Sequence, residues 1–151
     1  MQRRLIWVTL FSVAIVVTAL YHTRKVHATP VQGCSVASLR GKYAFRRTGV
    51  NNVVGGPIAE MGISFYGGDG TRGLIRNTRS TDGVIRPWTD YPAPNGTYTV
   101  DPDCTGSFFD ADGTHSNNVV VVDGGKRFFV LSDAPGTTVM EEGIRLEEEK
   151  D

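Results

Sequence analysis

The stretch from Gly96 to Phe109, GTYTVDPDCTGSFF, is the segment that most constrains how this chain can fold. Its β-branched and aromatic residues predict two short strands, and Pro102, which presets φ for a tight turn, predicts that they fold back over Asp101-Pro102-Asp103. Cys104 directly follows this turn, and the chain's only other cysteine is Cys34. The remaining strands must therefore close around a hairpin that a disulfide can tie to the start of the folded region.

The first 28 residues have the three-part form of a secretory signal. Arg3 and Arg4 precede an apolar run from Leu5 to Leu20, and Val26-His27-Ala28 supplies the residues that fit a cleavage site after Ala28. This pattern predicts a signal peptide over residues 1–28 and a secreted or periplasmic protein.

The alternative to cleavage is a membrane anchor formed by residues 5–21, because an apolar run of this length approaches the ~17–25 residues of a spanning helix. Arg24 and Lys25 come directly after the run, and positive charge there opposes export of the rest of the chain. The membrane would then be contacted only through this N-terminal segment. A lipid anchor on Cys34 is disfavoured, because the apolar run ends too far upstream.

Charge limits the classes of partner. The chain has sixteen Lys and Arg against sixteen Asp and Glu, and removal of the leader leaves twelve against sixteen, a net charge of −4. Residues 147–151, EEEKD, read as a solvated acidic tail. Residues 29–146 are near neutral without a basic block, which argues against nucleic acid as a partner, and their length suits one domain.

Glycines and cysteines indicate an all-β fold. All eighteen glycines lie after the leader, and no sustained apolar period of 3.6 is visible, so short strands joined by turns are expected. Two cysteines in an exported chain predict a disulfide between Cys34 and Cys104. Redox or metal chemistry is disfavoured because the pair lacks CxxC spacing, and Asp110–His115 lacks the later ligands of a calcium loop. No metal and no cofactor are therefore predicted.

Two further segments give strong strand signals. The stretch Ile58–Tyr66 separates Ala59, Met61, Ile63 and Phe65 on one side from Glu60, Gly62, Ser64 and Tyr66 on the other. Val119–Val122 and Arg127–Leu131 flank Gly124-Gly125, a hairpin in which Val121 is expected opposite Phe128. Both faces of that hairpin are apolar, so we expect a core on one side and a second covering, such as another subunit in a homo-oligomer, on the other.

About eight strands are expected in total, joined mainly by short connections. Pro87 cannot donate to a strand ladder, so the strand predicted over Val84–Thr89 must lie at an edge or contain a bulge. We expect an antiparallel up-and-down barrel, because closure removes exposed edges. A β-sandwich is the structural alternative.

Several motifs resemble those of a group of small exported bacterial proteins associated with the allene oxide cyclase-like barrel, a calycin type of fold. The motifs are Cys34, SLRGKYAF from Ser38, GISFYGGDG from Gly62, GTYTVDPDCTGSF from Gly96 and DGGKRFFV from Asp123. The resemblance spans Cys34 to about Arg145 and implies the barrel fold. It also implies a family that includes cofactor-free cyclases and isomerases acting on an apolar substrate in the barrel lumen.

Glu60 is the candidate catalytic residue. It lies in mid-strand, on the face shared with Ser64 and Tyr66. If that face lines the lumen, Glu60 could serve as a general acid or base. The competing interpretation, which strand alternation favours, places Ala59, Met61, Ile63 and Phe65 inside and leaves Glu60 as a surface carboxylate. The candidate ligand-binding residues, at the lumen or its rim, are Tyr43, Phe65, Arg76, Trp88 and Tyr98.

Two functions from different classes are consistent with these patterns. The first is an exported barrel that binds a small apolar molecule or acts as an interaction module. The alternative is a cofactor-free cyclase or isomerase that uses one carboxylate. The two differ in the cavity wall, since a binder of apolar ligands needs mainly apolar walls and an enzyme needs convergent polar groups.

Overall fold

The computed structural model describes residues 33–53 and 55–147 of the chain. The predicted leader, residues 1–28, and all of the predicted acidic tail except Glu147 lie outside the described residues. The strands, in chain order, are β1 Arg40–Asn51, β2 Gly56–Gly67, β3 Thr71–Thr81, β4 Val84–Asp90, β5 Gly96–Val100, β6 Thr105–Asp110, β7 His115–Val122, β8 Arg127–Ser132 and β9 Thr137–Arg145. The only helices in the described part are two 3₁₀ turns, at Val36–Ser38 and Asp123–Gly125.

Eight of the strands close into an antiparallel barrel. Their order around the barrel is β1-β2-β3-β5-β6-β7-β8-β9, and β9 pairs with β1 to complete the ring. The ninth strand, β4, pairs with β3 alone and lies outside the ring as an edge strand. The up-and-down barrel is therefore confirmed, and so is the expectation that the strand containing Pro87 lies at an edge. Its pairing with β3 also carries a bulge.

Both hairpins expected from turn residues form, and the register expected for the β7–β8 hairpin is confirmed. In the β5–β6 hairpin, Asp101 donates its N–H to the Thr105 carbonyl at 2.7 Å, and Cys104 adopts φ of 71°. In the β7–β8 hairpin, Val121 lies opposite Phe128, as the Gly124-Gly125 turn predicts. Turn chemistry thus fixes these registers, because the length of the turn decides which residues oppose one another.

The favoured orientation of β2 was wrong. Ile58, Glu60, Ser64 and Tyr66 are buried inside the barrel, whereas Met61 is 56% exposed on the outside. Two residues on the inner face explain this orientation. Tyr66 belongs to the aromatic core, and Gly62 makes room for the Phe45 ring, whose Cε1 would lie 2.8 Å from a Cβ at that position.

The segment Thr48–Pro57 is rich in Gly, Asn and Val, which predicts a loose loop, and this prediction was wrong in part. β1 continues to Asn51 and β2 begins at Gly56, so the connection between them is short. Gly49 lies so close to the backbone of β9 at Thr138 that a Cβ there would collide with it. A glycine in this segment therefore marks close strand packing rather than a loop.

An aromatic core fills the end of the barrel that holds residues 33–39, which we call the lower end. Tyr66 lies at its centre, with ring centroids 5.2 Å from Tyr43, 5.5 Å from Tyr98, 5.6 Å from Phe108 and 5.3 Å from Phe128. Most of these pairs meet edge to face, the arrangement that aromatic quadrupoles favour. The lower half of the barrel is therefore a packed core.

Residues 33–39 close the lower end. Leu39 is fully buried against the aromatic core, and the Tyr98 hydroxyl lies 2.6 Å from its carbonyl oxygen. Cys34 donates its N–H to the Pro102 carbonyl at 3.2 Å and forms the predicted disulfide with Cys104. The disulfide thus joins this closing segment to the β5–β6 turn.

The outer surface carries exposed apolar side chains. On β7, β8 and β9 they include Val120, Phe129, Leu131 and Met140, which are 41–64% exposed. The expectation that both faces of the β7–β8 hairpin are apolar is confirmed. The homo-oligomer inferred from it stays a prediction.

We expect removal of the disulfide to lower the free energy of unfolding by about 4 kcal/mol, because Cys34 and Cys104 are 70 residues apart and the link restricts the unfolded chain. The measurement is urea unfolding of the oxidised protein against the variant carrying both Cys34→Ser and Cys104→Ser. A reductant should weaken the native protein to the level of this variant and leave the variant unchanged. Equal stability of the oxidised protein and the variant would contradict the expectation.

Candidate functional site

A cavity of about 360 Å³ lies in the barrel above the aromatic core. Phe45, Ser64 and Tyr66 line it from β1 and β2, at the level where the core ends. The remaining lining residues are Arg47, Glu60, Arg72, Leu74, Tyr91, Asn95, Asp110 and Glu141. The wall is thus part aromatic and part charged.

The cavity opens where two strands separate. β3 pairs with β5 only through Thr71 and Arg72, and its second half pairs with β4 instead. The β4–β5 connection crosses this gap, with Asn95 accepting from the Leu74 N–H at 2.9 Å and Tyr91 donating its N–H to the Ile75 carbonyl at 2.9 Å. The sheet therefore leaves a side opening that a short loop borders.

Glu60 lies inside the barrel and is locked by hydrogen bonds. Its side chain is 1% exposed, and Arg47 donates to its Oε2 through Nε, at 3.2 Å, and through Nη2. Asn77 donates to the other oxygen, Oε1, and in turn accepts from Arg86 at 3.0 Å. Both carboxylate oxygens of Glu60 are therefore engaged by the protein.

Glu141 is the second carboxyl of this wall, and it is less constrained. It lies across from Arg47 in the β1–β9 ladder, with Arg47 Nη1 3.9 Å from its Oε2, and none of the described residues forms a hydrogen bond with its carboxyl group. Its side chain is 14% exposed and lines the cavity. Burial raises the pKa of the Glu141 carboxyl, and the positive charges of Arg47 and Arg72 oppose that rise.

The neighbouring Glu142 shows the opposite behaviour. It points to the outside of the barrel, where Arg127 and Arg46 donate to it at 2.5 and 2.8 Å. These hydrogen bonds lower the pKa of the Glu142 carboxyl. Adjacent glutamates on β9 therefore differ because one faces the lumen and the other faces the surface.

Arg72 and Asp110 lie at the opening of the cavity. Their side chains approach to 3.5 Å, and the Arg72 guanidinium carbon lies 4.6 Å from the centre of the Phe108 ring. Deeper in the cavity, the Ser64 hydroxyl is buried and forms no hydrogen bond of acceptable geometry. A buried hydroxyl without a partner is costly in free energy, so Ser64 offers an unused hydrogen-bonding group to this space.

The predicted ligand-binding residues lie elsewhere. Tyr43 and Tyr98 belong to the packed core beneath the cavity, and Phe65 lies on the outer face of β2. Arg76 and Trp88 stack on one another outside the barrel, with the guanidinium carbon 5.4 Å from the ring centre. None of these five residues lines the cavity, so a ligand-binding role for them stays a prediction.

Sequence reasoning placed Glu60 in the lumen only as the less favoured option and missed Glu141. The sequence also predicts a last strand over Thr138–Leu146, and a signal for Glu141 exists there, because Val139, Glu141 and Gly143 share one face. Met140 and Ile144 obscure it, because these larger apolar residues occupy the outer face at 64% and 51% exposure. The inner face carries glycine at 143 because the Phe128 ring occupies that space.

Within residues 33–53 and 55–147, no group of three or more His, Cys, Asp or Glu side chains is arranged to hold a metal ion. No helix in the same residues is long and apolar enough to cross a membrane. Comparisons of the chain with protein-family models, with curated proteins and with solved structures found no match. The resemblance to the allene oxide cyclase-like barrel proteins therefore stays a prediction.

The Glu60→Gln substitution should destabilise the protein by about 3 kcal/mol, because it removes the buried carboxylate that neutralises Arg47. The matched control is Glu142→Gln on the outer face, which we expect to change stability little. Urea unfolding of both variants measures the difference. If Glu60→Gln were as stable as the control, the network around Glu60 would not be holding the barrel together.

Proposed function

We propose that this protein binds a small molecule in the cavity above its aromatic core. The observation that carries the proposal is the meeting of aromatic and polar side chains in a half-open cavity of the barrel. At about 360 Å³, its volume falls in the range of small-molecule sites. The location outside the cytoplasm is part of the proposal and is supported by the disulfide, which oxidising compartments favour.

The ligand we propose differs from the fully apolar molecule expected from the sequence. Five of the residues around the cavity are charged, namely Arg47, Glu60, Arg72, Asp110 and Glu141. An apolar ligand would bury these groups without replacing the water that solvates them. A ligand with one polar end and an apolar body matches both parts of the wall.

Filling the cavity should abolish binding. The Leu74→Trp substitution adds a large ring to the cavity wall, and we expect small molecules that bind the native protein to bind it at least about tenfold more weakly. Ligand-observed NMR with a library of small amphipathic molecules and the full chain measures this. The control is Val120→Trp, at a 45% exposed position on the outer surface.

Equal binding by native protein and Leu74→Trp would place the ligand outside the cavity. If Leu74→Trp did not fold, Ser64→Leu, which also projects into the cavity, provides the same comparison. A library that yields no molecule sensitive to either substitution would contradict the proposed function.

A second candidate function is proton transfer on a small substrate, as in a cofactor-free isomerase. The observation that favours it is Glu141, a carboxyl group that faces the cavity, lacks a hydrogen-bond partner among the described residues and has a raised pKa because of burial. A carboxylate in such surroundings is a stronger base than one in water. In this proposal Glu141, which is free to contact a substrate, takes the place assigned to Glu60 from the sequence. The catalytic role of Glu60 itself stays a prediction.

The generic substrate 5-nitrobenzisoxazole tests this second candidate, because a carboxylate base removes its carbon-bound proton while the ring N–O bond breaks to give a cyanophenolate. We expect the native protein to accelerate this reaction at least about tenfold more than Glu141→Gln does. The rate should increase with pH as Glu141 ionises. Glu142→Gln serves as the control and should retain the native rate. A native rate equal to that of Glu141→Gln would remove this candidate.

A further inference from the structure

The charges that face Glu141 balance one another. Arg47 on β1 is paired with Glu60 on β2, and Arg72 on β3 is paired with Asp110 on β6. β8 contributes only Val130 across from Glu141. Arg47 also lies 3.9 Å from Glu141, so two guanidinium groups face three carboxylates and one negative charge is left in excess.

Other ionisable groups near this wall do not change the balance. The Tyr66 hydroxyl is neutral, since burial raises the pKa of this phenol. Arg86 hydrogen-bonds to Asn77, on the far side of the Glu60 network, and neither Arg79 nor Arg86 lines the cavity. The cavity wall therefore carries one more negative than positive charge, and Glu141 is the carboxylate in it that accepts no hydrogen bond from the described residues.

The uncharged part of the wall suits a positively charged ligand. Phe45, Tyr66 and Tyr91 present aromatic rings to the cavity, and such rings attract organic cations through their negative faces. The unpaired Ser64 hydroxyl can accept a hydrogen bond from an ammonium group. Negative charge, aromatic rings and a free acceptor are the three features that recognise an amine.

We propose that the cavity binds a small organic cation, an amine with an apolar body, whose ammonium group pairs with Glu141. This inference rests on the proposed function, since it names the chemical class of the ligand in the same cavity. It also supplies a hydrogen-bonding partner to Glu141, whose carboxyl group forms no hydrogen bond within the described residues. The amine would hold Glu141 in its ionised form, as a positive charge beside a carboxylate does.

Three molecules of similar shape and different charge test the proposal: 2-phenylethylamine, 2-phenylethanol and phenylacetate. The full chain is titrated with each near neutral pH, and binding is followed through the backbone amide resonances of residues around the cavity. We expect the amine to bind at least about tenfold more tightly than the alcohol, and phenylacetate to bind most weakly. The preference for the amine should decline as the pH falls through the pKa of Glu141.

Two variants test whether the carboxylate of Glu141 causes the preference for the amine. Glu141→Gln should lower the affinity for the amine to that for the alcohol, whereas Glu142→Gln, on the outer face, should keep the native preference. If Glu141→Gln did not fold, the pH dependence of binding to the native protein replaces it. The affinity for the amine should fall as Glu141 is protonated, whereas the affinity for the uncharged alcohol should change much less.

The outcomes separate this inference from the proposed function. Tighter binding of phenylacetate than of the amine, or equal binding of amine and alcohol, would overturn the inference that the ligand is a cation. Neither result would contradict the proposal that the cavity binds a small molecule. An amine preference that survives Glu141→Gln would also overturn it. If none of the three molecules shifted resonances at the cavity, this inference would be overturned, whereas the proposed function is contradicted only if the library of small amphipathic molecules also yields no cavity ligand.

Discussion

The packing of aromatic rings around Tyr66 determines where this barrel can be hollow. An eight-stranded barrel is only wide enough for a core of side chains or for one small ligand. Tyr43, Tyr98, Phe108 and Phe128 surround Tyr66 and fill the lower half completely. The cavity described above lies beyond these rings, where polar side chains such as Ser64 and Glu141 line the lumen.

The charged wall of this cavity is hard to explain by stability alone. A buried ion pair loses much of its Coulomb energy to desolvation, and apolar residues of the same volume often stabilise a core as well or better. Arg47 and Glu60 nevertheless occupy inward positions on adjacent strands, with Asn77 satisfying the remaining oxygen. This network positions Arg47 beside Glu141, so its clearest consequence is to set the charge of the cavity wall.

Local chemistry predicted the fold well because it acts over a few residues. Turn residues gave the register of the β7–β8 hairpin, and Pro87 marked the edge strand. The orientation of β2 was not predictable in the same way, since Ile58–Tyr66 alternates and either face could have been inward. The orientation depends on partners on other strands, namely Phe45 against Gly62 and the rings around Tyr66. The usual rule that the more apolar face of a strand is buried fails here, because this barrel carries apolar residues on its outside.

Glu141 and Glu142 show how much of a site depends on that choice of face. They are adjacent on one strand and chemically identical, yet burial raises the pKa of the first, and hydrogen bonds from two arginines lower the pKa of the second. A shift of one residue in the register of β9 would exchange their environments. That register is held where the Phe128 ring covers Gly143, two residues further along the strand. Which of the two carboxyl groups faces the cavity is thus decided by the fit of a ring over a glycine, an interaction that composition and charge do not reveal.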